Sequence, residues 1–462
     1  MDLRWLGQTT RARTFGGDLF RWSVLATLPL LAASTTFAQG IPGYGGPGVA
    51  TQGGRAAGNR GSEPVSIRPY ASVMGVVDNG VIAVGLDENG NLTNPGALYG
   101  VQANVGVYGS KSWRRNTVGL DYQGSYRHYS AKTFYNGSDH LMSLHYGTQL
   151  SRRSALSFRS TAGTSSRTTG GLFGMGFIDP NLFPGTTLLD LFDNRAYFAD
   201  VSGDLNRQIG SRTFVSAGGG AFAVRRQSKA LVGLNGQRAT GAINRQLSRR
   251  TFLGANYQYM HVDYPRVFGE ADVHTVMLQM SRQFGRQWNL TMAGGVFRID
   301  FAGVRTVEVD PVIAELFGLT TGREAFNAIN VSSSFSASLS RSMRSGYFGL
   351  SYARGANPGN GVLLVNRQER FGANYTYNTR RFWSFSVLAS MVRMAGIGAY
   401  SDRLGNYSTS FVASRKISSS LHFTAAADAR QFTTGAGGFS RLSTRVSAGV
   451  TYSPGELPIS LR

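Results

Sequence analysis

From about Ser66 to the end of the chain, apolar and polar residues alternate. In "GLDYQGSYRHY", Leu120, Tyr122, Tyr126 and His128 fall on one side, and Asp121, Gln123, Ser125 and Arg127 on the other. A period of two is that of a β-strand with unlike faces. The same alternation sets Tyr99, Val101, Ala103, Val105 and Val107 against Gly100, Gln102, Asn104 and Gly106, and Val331, Phe335, Ala337 and Leu339 against Ser332, Ser334, Ser336 and Ser338. Near the end, Val446, Ala448, Val450 and Tyr452 oppose Arg445, Ser447, Gly449 and Thr451. In "TFVSAGGGAFAV" and "NLTMAGGVFRIDF" glycines blur the two faces. Strands of a soluble sandwich usually run about five or six residues. These run about ten or more, the length that crosses a bilayer at a tilt.

The strands are punctuated by one recurring turn, as in "NRQIGSRTFV" from Asn206, "NRQLSRRTFL" from Asn244, "SRQFGRQWNL" from Ser281 and "SRKISSSLHF" from Ser414. The repeat is a strand, a short turn, a strand and a longer loop. A propeller blade would need about four strands per unit. Counting from Pro69 gives about eighteen strands, with sixteen as the other count, and "RPYASVMGVV" is the least clearly marked. Polar faces rich in Ser, Asn, Gln and Gly suit a water-facing lumen, and lipid suits the apolar faces. Backbone groups in lipid must all be paired, which strands achieve only by closing the sheet. The expected fold is therefore all-β, an antiparallel up-and-down transmembrane β-barrel.

The N-terminus has the layout of a secretory signal. Arg4, Arg11, Arg13 and Arg21 precede the apolar run "WSVLATLPLLAAS", and small residues lead to a cut after Ala38. Residues 1–38 are thus read as a signal peptide, 39–65 as a flexible Gly-rich periplasmic segment, and 66–462 as the barrel. The 462 residues contain no cysteine, which excludes disulfides, thiolate metal sites and cysteine nucleophiles.

The chain carries a net charge of +22. In a soluble protein this would raise nucleic-acid binding. Here the basic residues gather at the short turns, among them Arg152, Arg153, Arg207, Arg212, Arg249, Arg250, Arg415 and Lys416, so no nucleic-acid partner is expected. They fit either attraction to anionic headgroups or a positive periplasmic mouth. The acidic residues are read as long-loop residues, including Asp179, Asp190, Asp193, Glu270, Asp272, Glu308, Asp310, Glu315 and Glu324.

On the polar faces, Asp121, Arg127, Arg159, Arg298, Asp300, Arg370, Asp428, Arg430 and Arg445 are expected to line the lumen, where selectivity is set. Replacing Arg127 or Arg370 by Glu is expected to change ion selectivity with the barrel intact. Two connections are longer than the rest, "GFIDPNLFPGTTLLDLFDN" and "VEVDPVIAELFGLTTGREAFN". Asp310 followed by Pro311 predicts a short helix to about Leu316. Asp179, Asp190, Asp310 and Glu315 are the candidates for an inward-folded constriction; capping the outer mouth or contacting a neighbouring barrel are the alternatives.

The six histidines are scattered, no HExxH or GxSxG occurs, and "GGLFGMGF" lacks the lysine of a phosphate loop. Neither catalysis, a metal nor a cofactor is expected. From Pro69 to Tyr452 the chain resembles a Gram-negative outer-membrane β-barrel of the porin-like kind. Such proteins end their last strand on an aromatic residue read by the outer-membrane assembly machinery, a place that Tyr452 takes here. The resemblance implies the outer membrane as location, and lipids and lipopolysaccharide as surroundings. It implies a channel for passive diffusion of small hydrophilic solutes or ions, alone or as a homo-oligomer. The alternative is a non-conducting structural or adhesive barrel whose loops bind partners.

Overall fold

A computed structural model describes residues 65–79, 85–86, 92–93, 97–130, 136–165, 195–229, 231–267, 269–308, 321–359, 363–379, 382–397, 403–435, 440–454 and 457–459. The signal and Gly-rich segments, the predicted helix after Asp310, and the constriction candidates Asp179, Asp190, Asp310 and Glu315 lie outside these residues.

Eighteen strands form one closed antiparallel barrel, each paired with its neighbours in sequence. The first is β1 (Val65–Asn79); β2 (Gly85–Leu86) and β3 (Leu92–Thr93) form a small separate hairpin. The wall continues through β4 (Ala97–Ser112), β5 (Asn116–Tyr129), β6 (Gly137–Ser151), β7 (Ser154–Ser165), β8 (Ala196–Gln208), β9 (Thr213–Arg226) and β10 (Leu234–Ser248). It proceeds with β11 (Thr251–Asp263), β12 (Gly269–Phe284), β13 (Trp288–Glu308), β14 (Thr321–Met343), β15 (Gly346–Asn357) and β16 (Asn366–Asn378). The last wall strands are β17 (Trp383–Gly396), β18 (Arg403–Lys416), β19 (Leu421–Thr434) and β20 (Ser440–Tyr452).

Closure comes from β1, which pairs with β4 on one edge and with β20 on the other, from Ala71↔Tyr452 to Asn79↔Thr444. The residues beyond Tyr452 continue along that edge as β21 (Leu457–Ile459), which pairs with Val65–Ile67. No barrel edge is thereby left open to lipid. At Gly449 the seam is too close for a side chain, because a Cβ there would run into the Val73 carbonyl oxygen. Gly285, in the turn between β12 and β13, has φ +62°, the left-handed conformation that favours glycine.

Two elements depart from expectation. Glu270 and Asp272 belong to β12, and Thr321–Asn327 is the start of β14, so the connection after β13 is 309–320 and shorter than the sequence suggests. β13 and β14 pair all the way from Trp288↔Arg341 to Glu308↔Thr321. Paired backbone outlasts the apolar band, because a strand that has left lipid is held equally well in water by its ladder.

The outside of the barrel is apolar, with Val73, Tyr99, Leu144, Leu278, Val296, Ile329, Val331 and Val446 among its exposed residues. Trp288 and Trp383 mark its lower edge, beside Arg341 and Arg415 at 5.1 and 5.5 Å. Arg298 and Arg393 are the first outward charges above them. Ten residues separate each Trp from its Arg. At about 3.3 Å per residue and a tilt of about 40° this spans roughly 25 Å, the height of an outer-membrane apolar band.

Candidate functional site

Each strand turns alternate residues inward, and the interior is layered when read from the short turns upward. On β8 the inward sequence is Asn206, Asp204, Ser202, Asp200, Phe198; on β10 it is Asn244, Ala242, Thr240, Arg238, Gly236, Leu234; on β19 it is Thr424, Ala426, Asp428, Arg430, Phe432. The lower wall is thus polar and carries Asp204, with Arg159 in register with Ser202, the middle is more densely charged, and the level nearest the long connections is apolar. This upper level contains Phe222, Val262, Val273, Phe297, Ile299 and Phe301 on β9 to β13, with Val365 before β16. It continues through Val392, Met394, Leu404 and Phe432 on β17 to β19, and through Val76, Leu98 and Tyr129 on β1, β4 and β5. Tyr264, in the connection after β11, donates to the Pro358 carbonyl at 2.6 Å and ties that connection to the one after β15.

The inner wall holds seven of the residues predicted to face the lumen. Asp121, Arg127, Arg159, Arg370, Asp428, Arg430 and Arg445 all occupy inward positions. Arg127, 2% exposed, pairs through Nη2 with Asp139 on β6. Beside it, Arg445 reaches across β1 and donates to Gln102 on β4. Gln102 donates to Asn104 at 2.5 Å, and Asn104 to Ser72 at 2.8 Å, while the Tyr129 hydroxyl donates to Asp78 at 3.2 Å. A polar network therefore crosses the seam where the barrel closes. On the facing wall Arg238 donates to Asp200 at 2.9 Å, and on β18 and β19, next to the seam, Arg430 donates to Asn406 at 3.1 Å. The sequence reading passed over Arg238, Asp200, Asp204 and Asp139, although alternation within β6, β8 and β10 marks them as inward.

Arg298 and Asp300 are corrected. They are on the outer face of β13, side-chain exposure 53% and 35%, joined to each other at 2.9 Å, while the neighbouring Phe297, Ile299 and Phe301 turn inward. The glycines of this strand hid the phase. At the top of the apolar band a charged side chain facing outward meets headgroups and water, so it carries none of the cost that excludes charge from mid-band. Arg127 is also too deeply buried to act as a freely accessible lumen charge, so reversing it acts first on folding.

Outward residues of β11 to β13 form an acidic and histidine-rich patch at that level. His261 lies 2.9 Å from Asp272 and 3.2 Å from Asp263, and the Tyr259 hydroxyl donates to Asp272 at 2.6 Å. His261, Asp263 and Glu270 bring ligating atoms within 4.8 Å of one another, a cation-compatible grouping that the sequence reading did not name. The histidines are dispersed over both faces: His145 and His422 point inward, and His128, His140, His261 and His274 outward. Asp139 and His140, adjacent in sequence, are therefore on opposite sides of the wall.

A closed eighteen-stranded antiparallel barrel wrapped in an apolar band of this height is a porin-like protein of the bacterial outer membrane. Short turns mark its periplasmic end and long connections its outer end. No protein-family model matches the sequence. No curated protein is similar to it in sequence. Among solved structures, the chain is similar to Pseudomonas aeruginosa OccK2 (OpdF) in complex with glucuronate, at 12% identity and TM-score 0.40 over 85% of this chain and 100% of that one. It is also similar to Acinetobacter baumannii OccAB1, at 10% identity and TM-score 0.39 over 87% and 99%. Pseudomonas aeruginosa OpdK with vanillate matches at 11% identity and TM-score 0.39 over 84% and 98%. At these values the likeness identifies neither a family nor a solute for this chain.

Proposed function

We propose that the barrel is a channel through which small hydrophilic solutes or ions diffuse passively across the outer membrane. The observation that carries this reading is on β14 and β15, where Ser338, Ser351 and Ala353 face the interior and are exposed. Exposed small residues on an inner wall describe a hydrated space rather than a packed core. Above it, the charged middle biases which ions pass, and the apolar level near the outer mouth limits size and wetting. In this reading residues 1–38 are removed on export and 39–65 stay in the periplasm.

The second reading, a non-conducting structural or adhesive barrel, draws on that same apolar level, where Val262, Phe297 and Ile299 are at most 1% exposed. Swelling of liposomes containing the refolded mature protein separates the two. A channel swells them in sugars at a rate that falls with sugar size. Swelling no faster than in empty liposomes would favour the structural barrel.

A further inference from the structure

Toward its outer end the exterior carries a strongly basic face on β15 to β18, and we propose that it docks the phosphorylated headgroup of an anionic glycolipid of the outer leaflet. On β15 to β18 the top of the apolar band is the outward row Tyr352, Phe371, Met391, Tyr407. In the next outward row Arg354 and Arg393 flank Glu369, and in the row above that Arg367 and Arg403 flank Ala395. With strands about 4.8 Å apart and about 6.6 Å between alternate residues, the four arginines start from a patch on the order of 14 by 7 Å.

Their surroundings leave the patch positive. Glu369 is its one acid and lies 3.7 Å from Arg354. Arg393 is exposed and held in place by Tyr407, whose hydroxyl accepts from Nε at 3.1 Å and Nη2 at 2.9 Å. Neither Arg367 nor Arg403 has an ion-pair partner among the described residues. Guanidinium groups match phosphate oxygens in two-point geometry, and several on one face suit a multiply phosphorylated group. The level is right for a lipid, because these arginines begin where the apolar band ends. The side is selective too, since the outward rim of β11 to β13 is acidic, with Asp263, Glu270, Asp272 and Asp300. This inference concerns the lipid-facing surface and does not depend on conduction through the lumen.

The test is native mass spectrometry of the mature protein in nonionic detergent, titrated with bis-phosphorylated lipid A and with the same glycolipid stripped of phosphate. The phosphorylated form is expected to bind at least tenfold more tightly. The variant R354Q/R367Q/R393Q/R403Q is expected to lose that advantage, whereas D263N/E270Q/D300N on the acidic rim keeps it. R367Q/R403Q alters only side chains without ion-pair partners, so it is expected to fold, as judged by heat-dependent gel mobility, and to lose part of the affinity. Equal binding of the two glycolipids, or full affinity in the arginine variants, would overturn the proposal. A change in oligomeric mass with lipid affinity intact would also overturn it, and would assign the face to a second copy of the chain.

Discussion

Arg370 is the lumen position at which charge reversal most cleanly separates selectivity from stability. It is half-buried on the inner face of β16, beside Ala353 and Val392 in register, whereas Arg127 is 2% exposed. For an ion passing about 6 Å away in water, one unit charge is worth roughly 0.7 kcal/mol, and Arg370→Glu changes the charge by two units. At about 0.1 M salt, screening over a Debye length of about 10 Å reduces the change to roughly 0.8 kcal/mol for each ion. Cations gain and anions lose this amount, so the cation-to-anion permeability ratio should rise about tenfold. The assay is the reversal potential in a tenfold salt gradient across a planar bilayer. The substitution should move it by a few tens of millivolts toward cation preference, by less in higher salt, and with unitary steps still present. An unchanged reversal potential in a folded variant would refute the placement of Arg370 on the ion path.

Other substitutions test the fold. Arg127→Glu places a second carboxylate against Asp139 in a buried site and should cost about 3–5 kcal/mol, read as a lower midpoint in urea unfolding from vesicles. On the outer face, Leu278→Arg, at 67% exposure in mid-band, should cost about 2–4 kcal/mol in the same assay, whereas Arg298→Leu at the rim should stay within about 1 kcal/mol of wild type. A Gly449→Val variant should leave most of the protein in the heat-insensitive, unfolded gel band, because its side chain meets the Val73 carbonyl across the seam.

Much of the wall was legible because alternation is a strong signal wherever both faces are populated. Asp121 to Arg127 on β5 and Arg445 to Thr451 on β20 have the facing that the sequence predicts. Alternation says which residues share a face but not which face is wet, and the expected lumen residues rest on the assumption that the polar face points inward. The assumption holds inside the apolar band and fails at its rim, which is why Arg298 and Asp300 were misplaced on a strand already blurred by glycine. The apolar upper level of the interior was illegible for a related reason. Phe297, Ile299 and Phe301 look like lipid-facing residues until the ten-residue step from Trp288 to Arg298 fixes the height of the membrane. The network around Arg445 and Gln102 was likewise hidden, since the two residues come together only when the first and last strands meet.

The absence of native cysteine allows the central claim, a hydrated path through the interior, to be tested at single positions. The decisive measurement is unitary conductance in planar bilayers of Ser351→Cys and Val331→Cys, before and after reaction with a charged, membrane-impermeant methanethiosulfonate. The account predicts stable open steps in both variants, reduced by the reagent only at position 351, which faces the lumen, and not at 331, which faces lipid. Silence from correctly folded protein, or steps that the reagent leaves unchanged at position 351, would contradict it.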